Sequence, residues 1–348
     1  MQTKGSGPEP TAPAPVTLHD VARAAGVSVA TVSYVANGRT NVRLSDATRL
    51  RVQQALDDLG YRPNALAKNL VKGTSKFVGL VTDGVATTPF AGQIIHGAQD
   101  EAWRHGFVLL VANTDADPQV EHEAIEMMRE HQVRGILYST WYHREITVPS
   151  ALDSAEMVLV NCYAPGSDAR AVVPDERQGG RVATEQLLEQ GHHRIAFLNT
   201  TWESPARTGR LAGYRDALAA AGVGFDPALV IDAEPNQEGG YAAYEELRRL
   251  DVTAAFCHND RVAMGLYDAL RVRGLKIPTD LAIVGFDNQE VIAAHLRPPL
   301  TTVQLPHYEL GAAGVRILLG IDPVPSGSVS KLACPLVPRD SVASGLAD

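Results

Sequence analysis

Several large protein classes are excluded by what the chain lacks. It has three cysteines in 348 residues, Cys162, Cys257 and Cys334, far apart and without the paired spacing of a metal site. So sparse and odd a set argues against a disulfide-stapled scaffold. It fits a reducing compartment, with each cysteine a small buried apolar residue. No apolar run approaches the roughly 18 residues that span a bilayer. The opening "MQTKGSGPEPTAPAPV" has no apolar signal core and reads as a disordered extension over residues 1–15, so the expected location is the cytoplasm. Neither a phosphate-loop pattern nor a dinucleotide glycine fingerprint follows the strand-like segments. With no catalytic set in view, the expectation is a binder rather than an enzyme, with no cofactor. His192 and His193 beside Gly191 read as loop residues, not as metal ligands.

Net positive charge is also missing: the formal net is −9. The distribution qualifies this. Residues 1–76 carry ten Lys/Arg against five Asp/Glu, a net of +5, while the remainder carries 21 against 35, a net of −14. A basic head on an acidic body means that only the head suits a polyanion.

What the head contains is three short helical patterns. Thr17 caps the first, where Val21, Ala22 and Ala25 share a face, and Gly26 makes a corner. Ser28 caps the second, which buries Val32 and Val35 and closes at Gly38. Ser45 caps the third, whose apolar stripe is Val52, Ala55, Leu56 and Leu59. These are the dimensions of a helix-turn-helix, in which the second helix enters the DNA major groove. Thr31, Ser33 and Asn37 are short hydrogen-bonding groups suited to phosphates. A helical hairpin without nucleic acid is the blander reading, and the basic charge weighs against it. In the following "YRPNALAKNLVKGTSK", Pro63 interrupts the helix and Asn64 can cap a new one. Ala65 to Leu70 is far below the ~12 residues that hold a helix alone, so it reads as a helix formed only against a partner.

From Phe77 onward short apolar runs alternate with amphipathic helices: "FVGLV", "FVLLVAN", "GILYS", "MVLVN", "RIAFLN", "LVI", "AAFCHND" and "AIVGFDN". That alternation means parallel sheets covered on both faces. Eight such units exceed one comfortable sheet, so two similar subdomains are expected, with a ligand cleft at their carboxyl strand ends.

The stretches "VTLHDVARAAGVSVATVSYVANG", "YRPNALAKNL", "GHHRIAFL", "GRLAGYRDAL", "HNDRVAMG", "AIVGFDN", "PPLTTV" and "PLVPRDS" resemble the lactose/galactose-repressor (LacI/GalR) family, in order, over residues 16–343. The resemblance implies an α/β chain: an all-α helix-turn-helix head over 16–62, then a hinge helix and linker over 63–76. An effector-binding and dimerisation body over 77–343 follows, built of two interleaved Rossmann-like subdomains of periplasmic-binding-protein type, with a tail over 344–348. It implies a sequence-specific transcriptional regulator, most often a repressor, that binds palindromic double-stranded operator DNA as a homodimer, a tetramer remaining open. A small ligand in the cleft, a sugar or sugar derivative, would control it; control by a partner protein also stays open.

Particular residues follow from the same resemblance. Val29, Ala30 and Tyr34 stand at the base-reading positions, the first two suited to thymine methyl groups. Tyr34 departs from the Arg or His expected there, and "GRTNVRLS", with Arg39 and Arg43, is about two residues longer than usual. Leu70 stands where the family drives a leucine into the minor groove, with Asn64 at the helix start, Lys68 at the groove or backbone and Ala67 permitting close packing. In the cleft, Arg210 matches the ligand-clamping arginine and Asp287 the hydroxyl-accepting aspartate; Asn259 and Asp175 come next. An arginine with converging carboxylates suits a polyol. Phe90 lines the cleft, Trp202 and Trp141 offer stacking, Ser139 is a minor polar contact, and Asp260 reads as a helix cap.

Overall fold

The computed structural model of the chain describes residues 16–37, 42–61, 75–88, 90–153 and 156–342. The chain divides into two compact units, residues 1–74 and 75–348.

The small unit is built from α1 (Leu18–Ala25), α2 (Val29–Ala36) and α3 (Asp46–Asp58). Side-chain caps set where each begins. Thr17 and Asp20 form a reciprocal capping box on α1, while Ser28 and Ser45 accept from the backbone N–H groups of Thr31 and Thr48, each at 3.2 Å. Gly26 ends α1 at φ +64°, a left-handed conformation that disfavours a Cβ, and turns the chain at once into α2. Val21, Ala22, Ala25, Val32, Val35, Val52, Ala55 and Leu56 pack as the core. Leu59 departs from the expected stripe: it is the capping residue at the end of α3 and is 38% exposed, not buried with Val52, Ala55 and Leu56.

The large unit begins with β1 (Phe77–Thr82), α4 (Gly92–Arg104), β2 (Val108–Asn113), α5 (Pro118–Glu130), β3 (Ile136–Glu145), β4 (Met157–Tyr163) and β5 (Arg170–Pro174). It continues through α6 (Glu176–Glu189), β6 (Ile195–Thr200), α7 (Pro205–Ala220), β7 (Val230–Ala233), α8 (Gln237–Leu247) and β8 (Ala254–Cys257). Then come α9 (Asp260–Val272), β9 (Ala282–Asp287), β10 (Thr301–Gln304), α10 (His307–Leu318), β11 (Val329–Leu332) and β12 (Leu336–Val337). Two six-stranded sheets result, ordered β11-β5-β4-β3-β1-β2 and β12-β10-β9-β8-β6-β7. Pairing is parallel except for β10 with β12. The strands in the middle of each sheet are mostly apolar runs because helices cover both faces. Cys162, Cys257 and Cys334 are buried and free.

All eight strand-like runs are strands. Four others were not anticipated: β5, β10, β11 and β12. β5 is a short buried apolar run, Ala171 to Val173, and the other three have weak patterns for physical reasons. In β10 the threonines look polar, yet both are buried, and Thr302 donates to Asp260 at 2.6 Å. β11 is an edge strand alternating exposed and half-buried positions, and β12 has two residues.

These missed strands carry the chain between the halves. It crosses three times: from β5 into α6, from β10 into α10, and from β11 into β12. The crossings are tied to each other, Asp175 N–H donating to Leu332 C=O at 2.7 Å and Gln304 N–H to Pro335 C=O at 2.8 Å.

Three helix pairs approach closely enough that glycine is needed on both partners. A Cβ on Gly180 of α6 would lie 2.4 Å from the Arg210 carbonyl oxygen of α7, and one on Gly213 of α7 would lie 2.1 Å from the Arg177 oxygen of α6. Gly97 and Gly311 do the same for α4 and α10, and Gly240 and Gly265 for α8 and α9. Gly180→Ala is expected to force α6 from α7 and destabilise the large unit by about 1–3 kcal/mol. Urea denaturation followed by tryptophan fluorescence reads this unit alone, since Trp103, Trp141 and Trp202 all lie in it. An unshifted midpoint would refute the close approach.

Candidate functional site

On the small unit, α2 presents a short-chained, uncharged face. Ala30 and Asn37 are exposed, Thr31, Ser33 and Tyr34 are half-buried, and Val29 packs partly against the core. Val29 therefore serves the fold as well as any contact outside it. The hydroxyls of Thr17, Ser28 and Ser45 are engaged as helix caps, and Asn37 Nδ2 donates to the Ser33 carbonyl at 2.8 Å. Arg51 Nε donates to the Ala25 carbonyl at 3.2 Å, joining α3 to the corner. Asn64, Ala67, Lys68 and Leu70, together with Gly38 and Arg39, lie outside the described residues.

In the large unit the carboxyl ends of both sheets face one cleft of about 630 Å³, its open mouth included. Of the sequence candidates, Phe90, Trp141, Trp202, Arg210, Asn259 and Asp287 line it. Two do not. Asp175 caps α6, accepting from Gln178 N–H at 3.1 Å, and its neighbour Glu176 faces the cleft instead. Ser139 is fully buried within β3, away from the cleft wall. Asp260 also differs from its reading as a cap: Asn259 caps α9, accepting from Val262 N–H at 2.8 Å, while Asp260 accepts from Thr302 and from Gln289 N–H at 2.6 Å each.

The floor is a buried ion-pair cluster. Arg210 Nε donates to Glu176 Oε2 at 2.8 Å, and Arg210 also donates to the His258 carbonyl. Its guanidinium lies 3.6 Å above the Phe286 ring centre. The other Glu176 oxygen is 3.3 Å from His143 Nδ1. Burial alone would raise the Glu176 pKa, but Arg210 and His143 outweigh it and hold the carboxyl at about 2. Asp287 fares differently. Its nearest cation, Arg210, is 3.9 Å away, and Gln289 Nε2 donates to it at 2.8 Å. Burial prevails there and pushes Asp287 up to about 6. Asp287 is also held at φ +104°, an unusual conformation for a residue with a Cβ, at the end of β9. Burial keeps His307 neutral, down to about 4, and lowers His258 well below the ordinary imidazole range.

Aromatic faces surround this floor. Phe90 stacks on His307 at 6.1 Å between centroids, and Trp141 meets Trp202 edge-on at 6.3 Å. His143 Nε2, His258 Nδ1 and Arg261 Nε line the cleft region buried and without a hydrogen-bond partner among the described residues. Sequence reasoning passed over Glu176, His143, Asn161, His258 and Arg261. Their signal was positional, since each stands at or just beyond a strand's carboxyl end. Among the described residues no group of three His, Cys, Asp or Glu is arranged to hold a metal, and no helix is long and apolar enough to cross a membrane.

Residues 17–64 match the bacterial regulatory proteins of the lacI family, and residues 184–342 match the periplasmic binding protein-like domain. The HTH-type transcriptional regulator GalR of Escherichia coli (strain K12) is 35% identical over 333 residues, 94% of this chain and 96% of GalR. The chain belongs to the lacI family. As a lacI-family protein it is a DNA-binding transcriptional repressor with a ligand-binding domain, and not an enzyme. Among solved structures, a transcriptional regulator CelR–cellobiose complex is similar with a TM-score of 0.64 and 33% identity, covering 94% of this chain and all of that one. The lac repressor dimer bound to operator and the anti-inducer ONPF gives a TM-score of 0.78 at 27% identity, covering 95% of this chain and all of that one. The lacI-family reading thus embraces both units.

Within this lacI-family cleft, removing one member of the buried pair strands the other. Arg210→Ala is expected to lower the stability of the large unit by about 3–5 kcal/mol by leaving the Glu176 carboxylate buried and uncompensated. Arg210→Ala combined with Glu176→Ala should cost clearly less than the sum of the single changes. Strict additivity in urea denaturation would show that the two side chains act independently.

Proposed function

We propose that the protein binds a palindromic operator as a homodimer and that a sugar or sugar derivative in the cleft sets its affinity for that DNA. The α2 residues Val29, Ala30, Thr31, Ser33, Tyr34 and Asn37 are read as the groove-facing set. The hinge segment 63–76, with Asn64, Ala67, Lys68 and Leu70, is read as the part that forms against DNA. On this reading the working boundaries are 16–62 for the head and 77–343 for the body, and the protein works in the cytoplasm.

The single observation that carries the effector half is the cleft floor. A carboxylate and a fixed guanidinium, beside unpartnered buried nitrogens and between aromatic walls, match a ring bearing hydroxyls on its edge and C–H groups on its faces. Asn259 adds little further capacity, because Nδ2 donates to the Pro235 carbonyl and Oδ1 caps α9. CelR with cellobiose, a solved structural relative, lends support by analogy. The cleft lies beside the three crossings, so a ligand touching Asn161 of one half and Asp287 of the other favours one angle between the halves.

Two measurements test this. Fluorescence anisotropy on palindromic duplexes is expected to show specific, salt-sensitive binding that a cleft ligand shifts several-fold or more, with Tyr34→Ala altering sequence preference. Absence of sequence preference on every palindrome would overturn the operator half. Calorimetric titration of a neutral sugar is expected to weaken as pH falls through about 6, because protonated Asp287 no longer accepts as a charged group. The sign is set by the raised pKa: the accepting form is complete above about 7 and nearly gone at pH 5. The expected loss between these is about tenfold, and a flat profile would remove Asp287 from ligand contact.

A further inference from the structure

β3 runs on past its pairing with β1, which ends at Ser139. After a shift in register, Arg144 and Glu145 pair with Cys162 and Tyr163 of β4. The residues between are pinned on both sides. Asp83 accepts from Trp141 N–H at 3.0 Å and from Arg144 Nη2 at 2.8 Å, while Asn161 Nδ2 donates to the Thr140 carbonyl at 2.9 Å. His143 is thereby set into the cleft wall, 9% exposed and edge-on to the Tyr163 ring at 5.8 Å between centroids.

The two nitrogens of this ring differ. Nδ1 lies 3.3 Å from Glu176 Oε1. Glu176 is ionised down to about 2 despite its burial, because Arg210 and His143 outweigh it. Its oxygens therefore only accept, and Nδ1 carries the ring proton. In the neutral imidazole Nε2 then holds a lone pair. That atom is buried and has no hydrogen-bond partner among the described residues. Such an atom is costly to leave unpaired, and few persist without a use. Glu176 has both oxygens engaged by the protein, Oε1 by His143 and Oε2 by Arg210. Arg261 Nε, likewise unpartnered in the cleft, can only donate, so it and Nε2 call for opposite groups on whatever enters. A hydroxyl can do either.

We infer that His143 is a ligand-binding residue whose Nε2 accepts a hydrogen bond from the ligand, from a hydroxyl where the ligand is a sugar, and that Glu176 is a positioning residue that keeps the ring proton on Nδ1. The inference rests on the reading of the cleft as the effector site and adds one requirement to it, a group that donates at this wall. Replacing that donor by hydrogen or fluorine leaves Nε2 unpaired again, and a site built to receive a donor discriminates against such analogues.

The test uses the full-length protein carrying nitrogen-15 histidine, with long-range proton–nitrogen spectra recorded at about pH 8, above the ordinary imidazole range. His143 is assigned by His143→Phe, or by His143→Gln should the first not fold. Without ligand, Nδ1 is expected to be protonated and Nε2 not. In Glu176→Gln the single amide oxygen goes to Arg210, which can only donate, and the amide NH2 turns to Nδ1, so the proton should move to Nε2. The probes are glucose, galactose and adenine, the last a flat N–H donor without hydroxyls. A probe held by His143 should shift the Nε2 signal and leave Nδ1 protonated. For a hexose that binds, calorimetry with its monodeoxy and monodeoxyfluoro derivatives should find one position where either change weakens binding about tenfold or more, and less than about threefold in His143→Phe. A proton on Nε2, or on both nitrogens, in the unliganded protein overturns the inference. No response of Nε2 to any probe overturns it too, and a folded Glu176→Gln with the proton still on Nδ1 removes Glu176 as the positioning residue. A hexose that binds without moving Nε2 defeats the inference and leaves the saccharide reading standing. A shift of Nε2 by adenine, with neither hexose bound, upholds the inference and defeats the saccharide reading, so the two fail separately.

Discussion

The Glu176–Arg210 ion pair is the constraint around which the large unit's site is arranged. Two charges at 2.8 Å in a buried setting lose much hydration, and such a pair is tolerated only where the remaining polar atoms are also satisfied. Here they are: His143 meets the second carboxylate oxygen, the His258 carbonyl takes another guanidinium N–H, and Phe286 covers the guanidinium face. The pair spans α6 and α7, which come close enough only because Gly180 and Gly213 carry no side chains. Helix packing, charge burial and the orientation of Arg210 are one arrangement, and none changes alone.

That arrangement also explains why two carboxylates in one cleft behave oppositely. Glu176 has the guanidinium at hydrogen-bond distance and stays ionised to about 2, whereas Asp287 is left with the weaker approach at 3.9 Å and rises to about 6. Asp287 is bound into the hinge as well: its carbonyl accepts from Leu305 N–H at 3.3 Å, just where the chain passes from β10 towards α10. A change at its carboxylate is therefore one residue away from a crossing. On the proposed reading this is how occupancy of the cleft biases the angle between the halves, since the crossings are hydrogen-bonded to each other and move together.

Much of this was legible in the residues. The caps at Thr17, Ser28 and Ser45, the corner at Gly26, and eight of the strands follow from local chemistry that tertiary packing did not override. Arg210, Asp287 and Phe90 follow from a family resemblance, Trp202 and Trp141 from their places near strand ends, and all five reach the cleft. What stayed hidden depends on partners distant in sequence. β10 reads as polar until Thr302 finds Asp260, 42 residues away. Asp175 and Glu176 are adjacent acids of equal promise, and only the start of α6 decides that the first caps the helix and the second faces the cleft. Asp260 next to Asn259 poses the same problem with the opposite outcome, the polar amide taking the cap and the acid turning to Thr302. Adjacent polar residues at a helix start are separated by geometry, which a motif does not carry.

The division of charge between the units bears on recognition. α2 exposes no cation among the proposed groove-facing residues, so on the proposed reading base contact through Val29, Ala30 and Tyr34 would supply discrimination and little attraction. Attraction has to come from the remaining charge of the first 76 residues, a net of +5, acting on phosphates through counterion release. The rest of the chain carries a net of −14, which on balance repels duplex DNA. On the proposed reading an acidic body would improve specificity without touching a base. It lowers the affinity of every encounter that does not lead with the head, while encounters that do are attracted locally within a Debye length of about 8–10 Å.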